Sequence, residues 1–218
     1  MNTRLFYAAC FVLAILLICS TLSFAQELKP IQLLEPQMDI GRPLMQVLKE
    51  RRSSRAFSTE RLPMQVLSNM LWAAFGVNQP KSGRRTAPSA RNRQETDIYV
   101  AVADGLYLYD AKPHTLKPVL AEDIRAMTGI QPFVKEAPVN LIYVADFSRM
   151  GKATDEKKVL YSAAATGFIS QNVYLYCASE GLATVVRDLI DRPVLAKVMR
   201  LRPDQKIILA QSVGYPEK

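Results

Sequence analysis

Three observations in the sequence predict an α+β domain. Apolar residues recur at helical spacing in stretches that begin at Pro43, Pro63 and Asp155. Apolar and β-branched runs of strand type stand between Asp97 and Asp110 and between Val139 and Asp146. Helices alternate with few strands, with no repeat and no low-complexity tract, which is the pattern of one α+β domain.

The chain has 218 residues, and its first segment reads as standing outside that domain. MNTRLFYAACFVLAILLICSTLSFAQ carries one early positive charge at Arg4 and an apolar run from Leu5 to Leu17. Ser23-Phe24-Ala25 then fits the small-x-small rule for signal-peptidase cleavage. Residues 1–25 are expected to be a secretory signal peptide. An uncleaved anchor is the rival reading, because the apolar run approaches spanning length. Cleavage after Ala25 leaves residues 26–218 as a single domain, periplasmic or otherwise exported, with no membrane span of its own.

Each element follows in order. Residues 26–42 are polar and irregular and predict an extended arm. Pro43 then opens the helix LMQVLKERR, with Leu44, Val47 and Leu48 on one face. A second helix runs from Pro63 through MQVLSNMLWAAF and stops at Gly76. NQPKSGRRTAPSARNRQ is rich in turn formers and basic groups, hence a loop. DIYVAVADGLYLYD predicts a hairpin turning at Ala103-Asp104-Gly105. Residues 112–138 are expected to be helical in the middle, over VLAEDIRAMTG. VNLIYVAD predicts a buried central strand. A long helix with a small-residue face follows from Asp155 and ends at Gly181, then a short helix through VLAKVMRL, and KIILAQSVGYP closes as the last strand.

Composition narrows the chemistry. The formal net charge is +8, but in an exported chain whose basic residues are scattered outside two clusters, nucleic acid is excluded as a partner class. The excess charge is assigned to a local anion site. Cys10 and Cys19 leave with the signal, so Cys177 stands alone as a buried structural thiol, with no disulfide and no metal-ligand cluster. His114 is the only histidine and reads as a surface-loop residue. There is no nucleophile elbow, no paired-carboxylate pattern and no Walker lysine, so no catalytic side chain and no metal ligand is assigned. A protein short of acid–base groups leaves the chemistry to a cofactor. In ERRSSRAFSTERLP, Arg51, Arg52, Ser53 and Arg55 place planar guanidinium forks beside a hydroxyl, which suits a doubly charged phosphate. A solvated charged face is the alternative.

RRSSRAF, LSNMLWAAFGVN, APSARN, ATGFISQNVYLYCASEGLAT and ILAQSVGYP, in this order and spacing, resemble the nitroreductase-like FMN flavoproteins. The hairpin DIYVAVADGLYLYDAKPHTLKPV is similar to that of the SagB-type branch, which oxidises thiazoline and oxazoline rings in peptides. The resemblance spans residues 44–216. It implies a central, mostly antiparallel sheet flanked by helices, an intertwined homodimer, and an FMN-binding domain over residues 26–218. It implies that Arg51, Arg52, Ser53 and Arg55 hold the FMN phosphate and reach its ribityl chain or pyrimidine edge. Pro88, Ser89 and Ala90 match a loop that lies along the flavin of the partner subunit, and Asn92 matches its amide contact. Val185, Val186, Arg187 and Asp188 match a loop crossing the isoalloxazine edge, where the Asp188 N–H donates to flavin N5. The activity implied is oxidoreduction of a small molecule by ping-pong hydride transfer through N5, with the electron donor unidentified. A non-catalytic or flavin-binding exported protein on the same scaffold is the second reading.

Overall fold

Antiparallel pairing organises the chain. The computed structural model describes residues 28–217, so the expected signal segment and its cleavage point lie outside the described residues. In chain order the elements are β1 (Ile31–Gln32), α1 (Leu44–Glu50), α2 (Met64–Phe75), β2 (Val77–Gln79), β3 (Arg84–Arg85), β4 (Thr96–Val102), β5 (Gly105–Asp110), β6 (Thr115–Leu120), β7 (Val139–Asp146), α3 (Asp155–Glu180), β8 (Ala183–Arg187), α4 (Arg192–Val198) and β9 (Gln205–Gly214). One seven-stranded sheet has the order β1-β6-β5-β4-β7-β9-β8, and β2 with β3 forms a separate hairpin. Every neighbouring pair in the large sheet is antiparallel.

Strand alternation gives the sheet two apolar faces. Leu141 and Tyr143 of β7 join Ile98 and Val100 of β4 against α2 and α3, through Met70, Leu71, Ile169 and Val173. Ile142 and Val144 point the other way, into a second cluster with Ile124 and with Leu195 of α4. β7 is therefore covered on both sides and buried throughout, which is why VNLIYVAD shows no polar alternation.

The helix ends obey local chemistry. Thr154 caps α3 by accepting the Lys157 N–H, and Asp155 and Glu156 stand in its first turn, where the helix dipole favours acids. Gly181 ends α3 at φ 71° and ψ 23°, a left-handed conformation that glycine adopts without Cβ strain. α1 buries only Val47; Leu44, Met45 and Leu48 remain exposed.

Three expectations are corrected. The helix expected over residues 119–129 is absent: Val119 and Leu120 belong to β6, and only Arg125–Thr128 form a 3-10 turn. Pairing with β5, where Leu106 faces Leu120, overrides the helical pattern. The expected extended arm before α1 carries β1, which pairs with β6, and it buries Leu33. His114 is half-buried rather than a surface residue; Nδ1 meets the Tyr109 hydroxyl at 3.0 Å and Nε2 meets Ser68 Oγ at 2.7 Å, pinning the hairpin end to α2. The loop expected over Val185–Asp188 is strand up to Arg187, in register with β9, and begins only at Asp188.

Candidate functional site

β8 is the last strand of the sheet, and its outer edge would leave backbone groups unpaired. Two segments cover it. α1 ends at Glu50 with the Arg51 N–H donating to Val47 O at 2.8 Å, and the chain then runs extended beside β8. The Ser54 N–H donates to Thr184 O at 2.9 Å. From α3, the Tyr174 hydroxyl accepts the Val186 N–H at 2.9 Å and meets Ser53 Oγ at 2.8 Å. The Arg51 guanidinium lies over the Tyr174 ring, 5.2 Å from its centroid, within cation–π reach. One tyrosine thus ties the arginine segment to the strand that ends at Arg187, just before Asp188.

A cavity of about 560 Å³ opens here, lined by Arg51, Arg52, Ser54, Tyr174 and Thr184 among others. Arg52, Ser53 and Arg55 are exposed and Arg51 is half-buried. Among the described residues, none of the three arginines has a carboxylate within ion-pair distance, whereas Arg42, Arg61, Arg149, Arg192 and Arg202 all do. Glu50, the acid in the wall, is held by Arg42 at 2.6 Å. Arg55 faces a neighbouring, larger cavity lined by Phe57, Phe133 and Tyr215, which meets the first at Gly181 and Pro216. This donor set fits a phosphate ester, with fork-shaped cations and a hydroxyl; the acids that line the two cavities, Glu50 in the first and Glu60, Glu136, Glu180 and Glu217 in the second, form no ion pair with these arginines. Cys177 borders the cavity but is fully buried, and burial pushes its thiol pKa up, so it stays protonated.

Pro88, Ser89, Ala90 and Asn92 are elsewhere. Ser89 Oγ accepts the Gln94 N–H at 2.9 Å, and Asn92 Oδ1 accepts from Gln94 Nε2 at 3.0 Å, closing a tight turn with Arg91 and Asn92 at positive φ. Ala90 shares a cavity with Lys157 and Tyr161 at the start of α3, while the arginine segment packs on Tyr174 near its end. The thirteen residue steps from Tyr161 to Tyr174 span about 20 Å of helix. A single chain does not bring the two segments together. Between them α3 exposes an apolar stripe with Leu160 63% and Phe168 49% accessible, flanked by Ala163, Ala164 and Gly167.

The β8 end separates its residues. Val186 offers its backbone to Tyr174. The Arg187 side chain turns inward and is 3% exposed. Asp188 is exposed and paired with Arg192 one helical turn on. Sequence reading did not identify Tyr174, Thr184 or Ser54. Tyr174 lies 123 positions after Arg51 with no local signal of its role. Among the described residues, no helix is long and apolar enough to cross a membrane.

Known proteins share this fold. The family model of the nitroreductase family matches residues 48–215. A crystal structure of a nitroreductase-type protein from Ralstonia eutropha has a TM-score of 0.84 at 43% identity, over 90% of this chain and 93% of that one. A nitroreductase-type protein of Methanocaldococcus jannaschii is 34% identical over 152 residues, covering 65% of this chain and 76% of the relative. One from Desulfovibrio desulfuricans, solved in complex with FMN, has a TM-score of 0.59 at 21% identity over 81% of this chain and 88% of that one, a likeness of fold alone. With the match running from within α1 to just beyond β9, and a solved relative sharing the fold along nearly its whole length, the chain belongs to the nitroreductase family.

Proposed function

We propose that this chain is an FMN-dependent oxidoreductase that works as an exported homodimer. The observation that carries the reading is the row of arginines at the outer edge of β8, charged and without carboxylate partners, anchored beside Ser53 and Tyr174. Arg51 and Arg52 hold the FMN phosphate, Ser53 adds a hydroxyl, and Arg55 reaches along the cofactor from the adjoining cavity. Val186, Arg187 and Asp188 border the flavin edge, with the Asp188 N–H as the donor to its ring. Pro88, Ser89, Ala90 and Asn92 come from a second copy of the chain, which the exposed stripe on α3 supports. Bound FMN supplies the chemistry, taking up a hydride from a reduced donor and passing it to an acceptor. Donor and acceptor use one pocket in turn, so the kinetics are ping-pong. The leader-like residues 1–25 support export, which points to a reductant other than a cytoplasmic nicotinamide nucleotide. The substrate is a small molecule whose identity is open; the hairpin from Asp97 onward is similar to that of the azoline-oxidising branch.

The absorbance spectrum of the purified mature protein tests the cofactor. A flavin band lost on titrating out FMN, with riboflavin binding far more weakly, is expected; a colourless protein indifferent to added FMN would return the chain to the non-catalytic reading. Mass spectrometry of the envelope fraction is expected to find Gln26 at the N-terminus, and an intact mass that includes Met1 would refute cleavage.

A further inference from the structure

Arg187 is a buried cation without an anion. Its Nε donates to Ser212 Oγ at 3.1 Å, Nη1 to Thr128 O at 2.8 Å, and Nη2 to Asn140 Oδ1 at 2.9 Å and Thr128 Oγ1 at 3.3 Å. All these acceptors are neutral. Among the described residues no carboxylate pairs with it, and its neighbour Asp188 is turned outward to Arg192. Burial pushes the guanidinium pKa down to about 10, which still leaves it charged at neutral pH. A neutral side chain of similar length would fill this space without the desolvation penalty, so packing alone does not account for an arginine here.

The guanidinium also acts as a clamp. A Cβ on Gly129 would lie 2.1 Å from Nη1, so a larger residue there would require the hydrogen-bonded guanidinium to move before the Thr128–Ile130 turn could close over it. That turn is bonded onward, the Ile130 N–H donating to Leu189 O at 3.2 Å. Arg187 therefore holds the Asp188–Leu189 backbone from inside, while Tyr174 holds Val186 from outside.

We propose that Arg187 is a positioning residue for the flavin: it fixes the Asp188–Leu189 backbone, and its uncompensated charge raises the reduction potential of the bound cofactor. The proposal rests on the FMN reading above. A fixed positive charge in a water-excluded interior favours any added electron density nearby, and it needs no reorganisation when that density arrives.

The test is a potentiometric titration of the FMN-loaded protein in the parent and in Arg187→Gln, Arg187→Lys and Asn140→Asp. Arg187→Gln is expected to weaken the binding of reduced FMN relative to oxidised FMN about tenfold, a fall of about 30 mV for a two-electron couple. Asn140→Asp sets a carboxylate beside Nη2 and gives up the Asn140 Nδ2 hydrogen bond to Val134 O at 2.9 Å, and its potential is expected to fall in the same direction. It also carries the test if Arg187→Gln does not fold. Arg187→Lys keeps the charge and is expected to retain most of the potential. Arg187→Gln or Asn140→Asp holding FMN at the parent potential, even with a lowered melting temperature, would reduce Arg187 to a packing role and overturn the proposal. A parent that binds no FMN overturns the cofactor reading itself, and its colourless spectrum shows that before any potential is measured.

Discussion

Along the outer edge of β8, Arg51, Arg52 and Arg55 stand in or near water with no carboxylate at ion-pair distance among the described residues, whereas on the inner side Arg187 is sealed from water among neutral acceptors. Both regions keep positive charge uncompensated, but by different physics. The exposed guanidinia retain their hydration, so leaving them unpaired costs the fold little and leaves them available to an incoming dianion. Arg187 has given up its hydration, and the fold replaces it with four hydrogen bonds and a glycine shaped to its nitrogen. Substitutions on the outer edge should therefore be read in ligand affinity, and those on the inner side in stability and in the properties of what is bound.

The largest effect should come from removing what the outer edge lacks. Phe168→Asp puts a charge in the exposed stripe of α3 and is expected to convert a dimer to monomer in light scattering, with FMN binding lost by more than a hundredfold. A monomer that binds FMN as well as the parent would mean the outer edge of one chain is a complete site.

Next in size, Arg51→Ala and Arg55→Ala are each expected to weaken FMN by about ten- to hundredfold, or roughly 1.5–3 kcal/mol, by removing a charge-assisted contact. Arg55→Lys should recover only part, because lysine keeps the charge without the fork. Riboflavin affinity should hardly change in any of them. Calorimetric titrations with both ligands check this, and equal losses for the two would move the arginines off the phosphate.

On the inner side, Gly129→Ala forces the Arg187 guanidinium to move and should destabilise the fold by about 1–3 kcal/mol in urea denaturation. Arg52→Ala, its counterpart outside, should change the stability of the cofactor-free protein by about 0.5 kcal/mol or less. Equal losses would erase the contrast between the two sides.

The smallest effect lies away from β8 and serves as a control. Burial lowers the His114 pKa, outweighing the Leu34 carbonyl and Glu35, which raise it. Between that lowered value and about 6.5 the unfolded chain holds more protons than the folded one. Stability should therefore be full above about pH 6.5 and fall as acid carries the solution down through the folded value. His114→Gln should flatten the melting temperature over that range. An unchanged pH profile would show that His114 is not the group responsible.

Much of this was legible in local sequence. Thr154 and Gly181 bound α3 because capping is a property of a few adjacent residues, and the hairpin of β4 and β5 turns where Asp104-Gly105 allows it. VLAEDIRAMTG misled because its period is that of a helix, while the ladder that claims Val119 and Leu120 is set by residues of β5. His114 misled for the same reason, since its partners Ser68 and Tyr109 come from different elements.

Local sequence was enough for the α+β class, the ends of the long helix, the central apolar strand and the arginine-serine cluster, since each depends on periodicity or on side chains within a turn of one another. Three-dimensional packing was needed to show which arginines stand without carboxylate partners at the surface and which is buried, that Tyr174 joins Ser53 to Val186, and that Pro88–Asn92 and Arg51 pack near opposite ends of α3. The reason is physical: charge compensation and edge covering are set by distances between segments more than a hundred residues apart, and no local pattern encodes a distance.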